Sequence, residues 1–240
     1  MFTGAPADPR NHRSARNMTP YYDEDGITIY HADCADVLPM VAPGDVDLLL
    51  TDPPYGVGYQ IDRQLVGKGN RRVWMGGRPP VYGDDEPFDP TPLLHFSRLI
   101  LFGGNHFASK LPDSGGWIVW DKTGGGRGPN NTFADVELAW SNLSNTPRIR
   151  HHLWKGLVRD TEAGQSVLHP TQKPVSLMKW LLGDWTEPGD LVFDPYMGSG
   201  PVAQACHELG RRYIGVEIVE RYCEVAVDRL AQGVLPLEAL

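Results

Sequence analysis

The part of the chain after residue 190 restricts the fold most. Residues 191–193 form an apolar run that is too short for a helix, and it ends in Asp194. A glycine turn at 198–200, a segment with helical apolar spacing at 202–209 and a second apolar run at 213–216 follow. A strand, helix, strand unit of this kind needs a right-handed crossover between parallel strands. The sequence therefore predicts an α/β fold built on a parallel sheet.

The same unit also carries a ligand-binding pattern. A glycine turn after a strand lets a ligand approach the backbone closely, and an acid at the end of the next strand can bind ribose hydroxyls. Glu217 ends the second run, at roughly the usual separation from Gly200. This pattern indicates an adenosine-containing cofactor. Ala203 stands where a dinucleotide fingerprint has its third glycine, which disfavours a pyrophosphate cofactor.

A second chemical signal follows the apolar run at 47–51. Pro53 and Pro54 stop this run, so we expect a buried parallel strand that delivers Asp52 to the carboxyl edge of the sheet. The Asp52 carboxylate and the Pro53 carbonyl are two acceptors of restricted geometry, since proline limits the backbone and removes a donor. Such a pair suits an exocyclic amino group. Tyr55 can stack on a base that has been taken out of its helix.

Three motifs together resemble the amino-group DNA methyltransferases that use S-adenosylmethionine. They are TDPPYG at 51–56, HPTQKP at 169–174 and FDPYMGSG at 193–200. The catalytic motif precedes the cofactor motif, which is similar to the circularly permuted β class of bacterial and phage enzymes. The resemblance extends from about Ile27 to Leu230. It implies a Rossmann-like methyltransferase fold, a mostly parallel twisted sheet with helices on both faces.

The resemblance also implies roles for individual residues. The catalytic set is Asp52, Pro53, Pro54 and Tyr55, and the chemistry needs neither a metal nor a covalent enzyme intermediate. Asp33 matches the position beside the cofactor adenine, and Lys173 lies in a segment that closes over the amino-acid part, where an ammonium complements the carboxylate. The implied cofactor-binding residues are Asp33, Cys34, Thr171, Lys173, Asp194, Pro195, Gly198, Ser199, Gly200 and Glu217.

The chain departs from the family pattern at one position of the cofactor motif. Pro201 stands where family members commonly have Thr. Proline suits the first position of a helix, because its fixed φ is helical and its missing N–H is not needed there. We therefore expect the turn and the helix start to be retained.

Charge is distributed unevenly along the chain. The formal net charge of −8 argues against general attraction to nucleic acid, but residues 61–80 and 145–159 are both basic. A basic face can bind phosphates because each neutralised phosphate releases counterions. Double-stranded DNA is therefore the predicted partner, although two solvated basic loops would give the same pattern. The predicted DNA contacts are Arg71, Arg72, Arg148, Arg150 and Lys155.

Composition along the chain predicts its organisation. Residues 1–20 combine several prolines with few large apolar groups, which is typical of a flexible arm. The resemblance implies a single methyltransferase domain over 21–240. Within it, 60–90 is predicted to be a mobile basic loop. The loop-rich region 121–168 is predicted to supply target-recognition contacts.

Several classes of protein are disfavoured. No apolar run approaches the roughly 18 residues of a membrane span, and no secretory leader is visible. Three cysteines without metal-like spacing favour neither a disulfide framework nor a zinc site, which fits a reducing cytoplasm. A homodimer and a cognate restriction nuclease remain open.

The first residue of the catalytic motif indicates the target base. In the family, Asp at this position mostly accompanies adenine and Ser mostly accompanies cytosine, so Asp52 favours adenine N6 over cytosine N4. An RNA or protein amine methyltransferase usually has the opposite motif order. A DNA-binding protein without activity is disfavoured because Asp52 and Tyr55 are intact.

Overall fold

The computed structural model describes residues 18–58, 82–126, 134–155, 158–162 and 172–232, and the backbone of 65–66 and 72–73. The predicted arm at 1–20 and the regions 60–90 and 121–168 lie partly outside these residues, so their predicted roles stay predictions. Thr171 and Arg71 also lie outside them.

The described chain alternates short strands with helices. In chain order the strands are β1 Tyr22–Glu24, β2 Ile27–His31, β3 Leu48–Thr51, β4 Leu65–Val66, β5 Arg72–Val73, β6 Leu99–Phe102, β7 Ile118–Asp121, β8 Val136–Ser141, β9 Arg148–His151, β10 Trp154–Lys155, β11 Val158–Arg159, β12 Leu191–Asp194 and β13 Arg212–Glu217. The α-helices are α1 Cys34–Val37, α2 Val175–Trp185, α3 Pro201–Leu209 and α4 Glu220–Gln232. Short 3₁₀ turns lie at Leu38–Met40, Pro43–Asp45, Thr91–Leu93, Gly104–His106 and Ala108–Lys110.

One mixed sheet organises the described residues. Nine of their strands pair in the order β1-β2-β13-β12-β3-β6-β8-β7-β9. The run from β2 to β6 is parallel throughout, and β9 is parallel to β7, whereas β1 and β8 are antiparallel to their neighbours. The predicted mostly parallel sheet is therefore confirmed. Within 60–90, β4 and β5 form a separate two-stranded ladder.

Side chains of the central strands alternate between two apolar layers, as a strand buried on both faces requires. Leu48 and Leu50 pack in the layer that holds α2, α3 and α4, whereas Leu49 packs in the layer that holds Val37 of α1. Helices thus cover both faces as predicted, although 3₁₀ turns provide much of the second layer. No helix of the described chain is long and apolar enough to cross a membrane.

The β12–α3–β13 unit confirms the local prediction. Pro201 occupies the first turn of α3, so the helix begins one residue before the predicted 202–209 segment. Gly200 precedes it with φ +74°, where a Cβ atom would lie 2.7 Å from the Ala226 side chain. Both the backbone angle and the close approach of α4 therefore require glycine. Gly210, with φ +70°, ends the helix.

Candidate active site

The sheet gathers the predicted acidic residues at one edge. Asp52 follows β3, Asp194 ends β12, Glu217 ends β13 and Asp33 follows β2. These strands are parallel neighbours, so their carboxyl ends lie side by side. The strands β12 and β3 are neighbours. From β12 the chain continues to β13 on one side of them, whereas β3 leads to β6 on the other side. Open α/β sheets bind their ligands at such a topological switch point.

The Asp84 carboxylate holds the loop that carries the catalytic motif. One of its oxygens accepts the backbone N–H groups of Tyr55 at 3.0 Å, Gly56 at 2.9 Å and Val57 at 3.3 Å. The Asp84 carbonyl also accepts the N–H of Gly58 at 2.8 Å. These hydrogen bonds fix the backbone conformation of residues 55–58. Sequence reasoning missed Asp84, which lies in the predicted 60–90 loop.

Tyr55 is held from three directions. Its hydroxyl donates to Asp52 Oδ1 at 2.5 Å, and its ring stacks on His106 with centroids 4.9 Å apart and planes 14° from parallel. A Cβ atom on Gly103 would lie 2.0 Å from the Tyr55 ring, so glycine is required there. Burial, and after it the Asp52 charge, raises the pKa of Tyr55 well above its usual value. The phenol therefore remains a hydrogen-bond donor.

Four charged side chains alternate in sign beside the motif. Lys173 Nζ donates to Asp52 Oδ2 at 2.5 Å and lies 3.2 Å from Glu137 Oε2. Lys122 Nζ donates to Glu137 Oε1 at 2.6 Å. The Lys173 side chain is only 5% exposed. The loop after β3, the start of β8 and the residues before α2 are thereby joined in one ionic network.

The network determines which of its members are ionised. Burial alone would lower the pKa of Lys173, but the Asp52 and Glu137 carboxylates outweigh it and raise that pKa well above its usual value. Burial opposes the ionisation of Glu137, yet Lys173 and Lys122 lower its pKa to about 2. Burial has the larger effect on Asp52, whose pKa is raised despite Lys173. Lys173 is thus a cation and Glu137 an anion.

Lys173 was expected to complement a cofactor carboxylate. Its ammonium contacts Asp52 of the DPPY motif, and the side chain also lines a cavity shared with the glycine turn, so the cofactor contact stays a prediction. The described structure therefore brings together the Asp52 motif and the final part of the HPTQKP segment. Thr171, which was predicted to act with Lys173, lies outside the described residues.

Asp194 links the catalytic strand to the predicted cofactor motif. Its Oδ1 accepts the Thr51 hydroxyl at 2.6 Å and the Tyr196 backbone N–H at 3.2 Å, and its Oδ2 accepts the Tyr213 hydroxyl at 3.3 Å. Burial raises the pKa of Asp194 to about 7, against the opposing effect of these donors. A cationic ligand group placed here would favour its ionised form.

The glycine turn and the Glu217 carboxylate are connected directly. Glu217 accepts the backbone N–H of Gly198 at 2.9 Å and that of Val219 at 2.8 Å. Its carboxylate therefore orients the turn and still has acceptor capacity, since each oxygen has two lone pairs. On the adjacent strand, the exposed Asp33 caps α1 by accepting the N–H of Ala35. Cys34 is partly buried, and burial raises the pKa of its thiol.

A cavity of about 40 Å³ lies between the catalytic motif and the glycine turn. Asp52 and Lys173 line one side, and Asp194, Gly198 and Ser199 line the other. Ser199 Oγ is buried and has no hydrogen-bond partner among the described residues. A buried hydroxyl without a partner is costly, so this cavity suits a polar ligand group. Its donors and acceptors fit the amino-acid end of an adenosyl cofactor.

The predicted DNA-contacting residues differ in their exposure to solvent. Arg148 and Arg150 lie on β9, an edge strand whose residues are all exposed, and the Arg150 guanidinium lies 5.7 Å from the centre of the Trp180 ring. The Lys155 side chain is 2% exposed and paired with Asp135. Lys155 is therefore not placed to contact a phosphate. Arg71 and the Arg72 side chain lie outside the described part.

A parallel sheet with a glycine turn after one strand and a DPPY loop after its neighbour defines the class of α/β methyltransferases. The sequence profile of a family described as "DNA methylase" matches residues 129–228. The chain is 30% identical over 208 residues to the putative methylase YubD of Escherichia coli strain K12, covering 83% of this chain and 88% of YubD. The chain belongs to the DNA methylase family.

A further relative is similar in sequence, and a solved structure shares the fold. The type II methyltransferase M2.LlaDCHI of Lactococcus lactis subsp. cremoris is 24% identical over 255 residues, covering 89% of this chain and 93% of the relative. The crystal structure of the M1.HpyAVI–SAM complex shares the fold with a TM-score of 0.50 and 22% identity, covering 85% of this chain and 98% of that one. The predicted family and fold are confirmed, and the cofactor of this family is S-adenosylmethionine.

Replacing Asp194 with Asn tests the raised pKa. A carboxyl with a folded-state pKa of about 7 binds its proton more tightly than it does in the unfolded chain. Its stabilising effect is complete below about pH 4 and is lost as the pH rises to about 7. Relative to Asp194→Asn, we expect the wild-type unfolding free energy to fall by up to about 1.4 kcal/mol per pH unit over this range. Urea denaturation at a series of pH values measures it, and parallel curves would contradict it.

Proposed function

We propose that the protein transfers a methyl group from S-adenosylmethionine to N6 of an adenine that has been rotated out of double-stranded DNA. The observation that carries this proposal is the shared cavity, which has Asp52 on one side and the glycine turn with Asp194 on the other. A base amine at Asp52 and a methyl donor at the turn would meet there. The chemistry then depends mainly on positioning, which can supply roughly 7–11 kcal/mol.

The cofactor is proposed to lie along the carboxyl ends of β12, β13 and β2. Asp194 and the 198–200 turn would hold its methionine end, Glu217 its ribose, and Asp33 with Cys34 its adenine. Ser199 supplies a buried hydroxyl that has no partner among the described residues and can bind it. Pro195 helps to form the turn, and Thr171 and Lys173 complete the proposed set. Bound there, the cofactor supplies an electrophilic methyl group, because its sulfonium sulfur leaves readily as a neutral thioether.

The residues of the catalytic motif are proposed to prepare the target amine. An aromatic amine is a poor nucleophile because its lone pair is delocalised into the ring. Hydrogen bonds from the amine to Asp52 and to the Pro53 carbonyl would favour a pyramidal nitrogen with a localised lone pair. Pro54 restricts the loop, and Tyr55 offers an aromatic surface beside Asp52. His106 stacks on the Tyr55 ring and fixes its orientation.

Adenine is proposed rather than cytosine because Asp52 begins the motif. The family includes enzymes for both bases, so membership leaves the choice open. A purine also offers a larger ring to stack on Tyr55. The homodimer, the cognate nuclease and the cytoplasmic location remain predictions.

Substituting Asp52 with Ala should abolish methyl transfer and leave cofactor affinity within a few-fold. Lys173 keeps Glu137 as its partner in this variant, so the fold should survive. As the reciprocal variants, Asp194→Ala and Glu217→Ala should weaken cofactor binding by about 1–3 kcal/mol, because each removes an acceptor from a desolvated site. Calorimetry with S-adenosylmethionine and transfer of its labelled methyl group to DNA separate the two effects. Retained transfer by Asp52→Ala would refute its role.

The methylated base can be identified directly. DNA methylated by the protein is digested to nucleosides, and the products are identified by mass. We expect N6-methyldeoxyadenosine. DNA treated with the Asp52→Ala variant is the unmodified control. Methylcytosine without methyladenine would overturn the choice of base and leave the fold unaffected.

Arg148 and Arg150 should contribute to the salt dependence of DNA binding. Each Arg→Ala change should reduce the slope of log K against log salt by about 0.9 for every phosphate that the side chain neutralises. Arg212→Ala is the matched control. Arg212 lies on β13, far from β9 in the strand order, and donates to the Gly189 carbonyl. An unchanged slope in the Arg148 and Arg150 variants would place the DNA face elsewhere, with Arg71 and Arg72 as the next candidates.

A further inference from the structure

Glu137 reaches the site because of sheet register. β8 runs antiparallel to β6, so the beginning of β8 lies at the edge where β6 ends. A hydrogen bond from the Gly103 N–H to the Leu138 carbonyl, 2.8 Å long, continues this pairing beyond β6. The Glu137 side chain is thus held by the sheet itself. None of the three sequence motifs includes it.

The two oxygens of Glu137 have different partners. Oε1 accepts from Lys122 at 2.6 Å, whereas Oε2 lies 3.2 Å from Lys173 Nζ. Oε2 is buried and makes no well-directed hydrogen bond within the described residues. A buried anionic oxygen is stable only when a cation or donor is close. Oε2 is therefore an acceptor with remaining capacity, next to the ammonium that holds Asp52.

Both Asp52 oxygens are engaged as well. Oδ1 accepts from Tyr55 and Oδ2 accepts from Lys173. Each oxygen keeps a further lone pair, so a target amine would share Asp52 with the ammonium and weaken the hold of Asp52 on it. If Lys173 had no other partner, its release from Asp52 would leave a buried cation unpaired, which is strongly unfavourable. Glu137 removes this obstacle because the ammonium already lies within ion-pair distance of it.

We propose that Glu137 is a positioning residue for methyl transfer: it shares Lys173 with Asp52 and takes more of the ammonium when Asp52 binds the target amine. This inference rests on the proposed function of Asp52. Glu137 touches neither the base nor the cofactor in this proposal, and it acts through Lys173. Lys122 keeps Glu137 ionised and in place.

The proposal has a consequence for the pH dependence. The groups that face Lys173 are Asp52 and Tyr55 from the loop after β3 and Glu137 from β8, with Lys122 behind Glu137. Two carboxylates raise the pKa of Lys173, so removal of one charge lowers that pKa. The ammonium then loses its proton at a lower pH. A variant without the Glu137 charge should therefore lose activity at a lower alkaline pH than the wild type.

Glu137→Gln is the decisive variant, since it keeps the size of the side chain and removes the charge. We expect kcat at saturating cofactor to fall on the order of tenfold or more. The alkaline limb of kcat against pH should move to lower pH. Combining it with Lys173→Met should cause no further loss beyond Lys173→Met alone. Glu208→Gln is the matched control, because it removes a partly exposed acid that pairs with Lys179 away from the site.

The outcomes separate this inference from the proposed function. Failure of the wild-type protein to methylate DNA, or full activity of Asp52→Ala, would contradict the proposed function. With an active wild type and an inactive Asp52→Ala, a Glu137→Gln variant of normal kcat overturns only this inference. So does a lower kcat with an unchanged alkaline limb, which indicates a purely structural role. If Glu137→Gln does not fold, Glu137→Asp should lower kcat and keep the alkaline limb, and a normal kcat would overturn the inference.

Discussion

The ion pair between Lys173 and Asp52 is the interaction on which the site depends. It joins the residues before α2 to the loop after β3, far apart in the sequence. The Lys173 side chain is almost completely buried, and that of Asp52 is 22% exposed. A buried ion pair stabilises a fold only when both partners have further hydrogen bonds or charges around them. Tyr55 supplies one for Asp52, and Glu137 supplies one for Lys173. The charges of the DPPY loop are therefore balanced by groups from β8 and from the residues before α2, while Asp84 holds its backbone.

Local signals explain what the sequence could predict. The apolar runs before Asp52 and Asp194 are short and end abruptly, so their strands and the edge to which they lead could be recognised without any long-range information. Pro201 was also correctly expected to begin a helix, since its effect is confined to one turn. Glu137 and Asp84 have no such local signal. Their contacts depend on the register of β8 and on the return of the chain after residue 81, which no spacing in the sequence indicates.

Counting charges along the chain had a similar limit. Lys155 and Arg150 belong to the same basic segment of the sequence, but Lys155 is buried against Asp135 while Arg150 lies on an exposed edge strand. A sequence window sums charges without distinguishing those that neighbours neutralise. The partner Asp135 precedes β8, outside the window that defined the basic segment. Tertiary pairing therefore decides which cations are available to phosphates.

The permuted order of the motifs is compatible with this site because strand neighbours, rather than chain order, place the functional groups. β3 precedes β12 by most of the chain, yet the two are paired directly, with Leu48 opposite Val192. The Thr51 hydroxyl then donates to Asp194 at 2.6 Å, which links the catalytic and cofactor strands where both end. The glycine turn is followed directly by α3 and β13, and the DPPY loop is followed by Asp84, which holds it, and then by β6. Either unit can come first, provided that β3 and β12 remain adjacent.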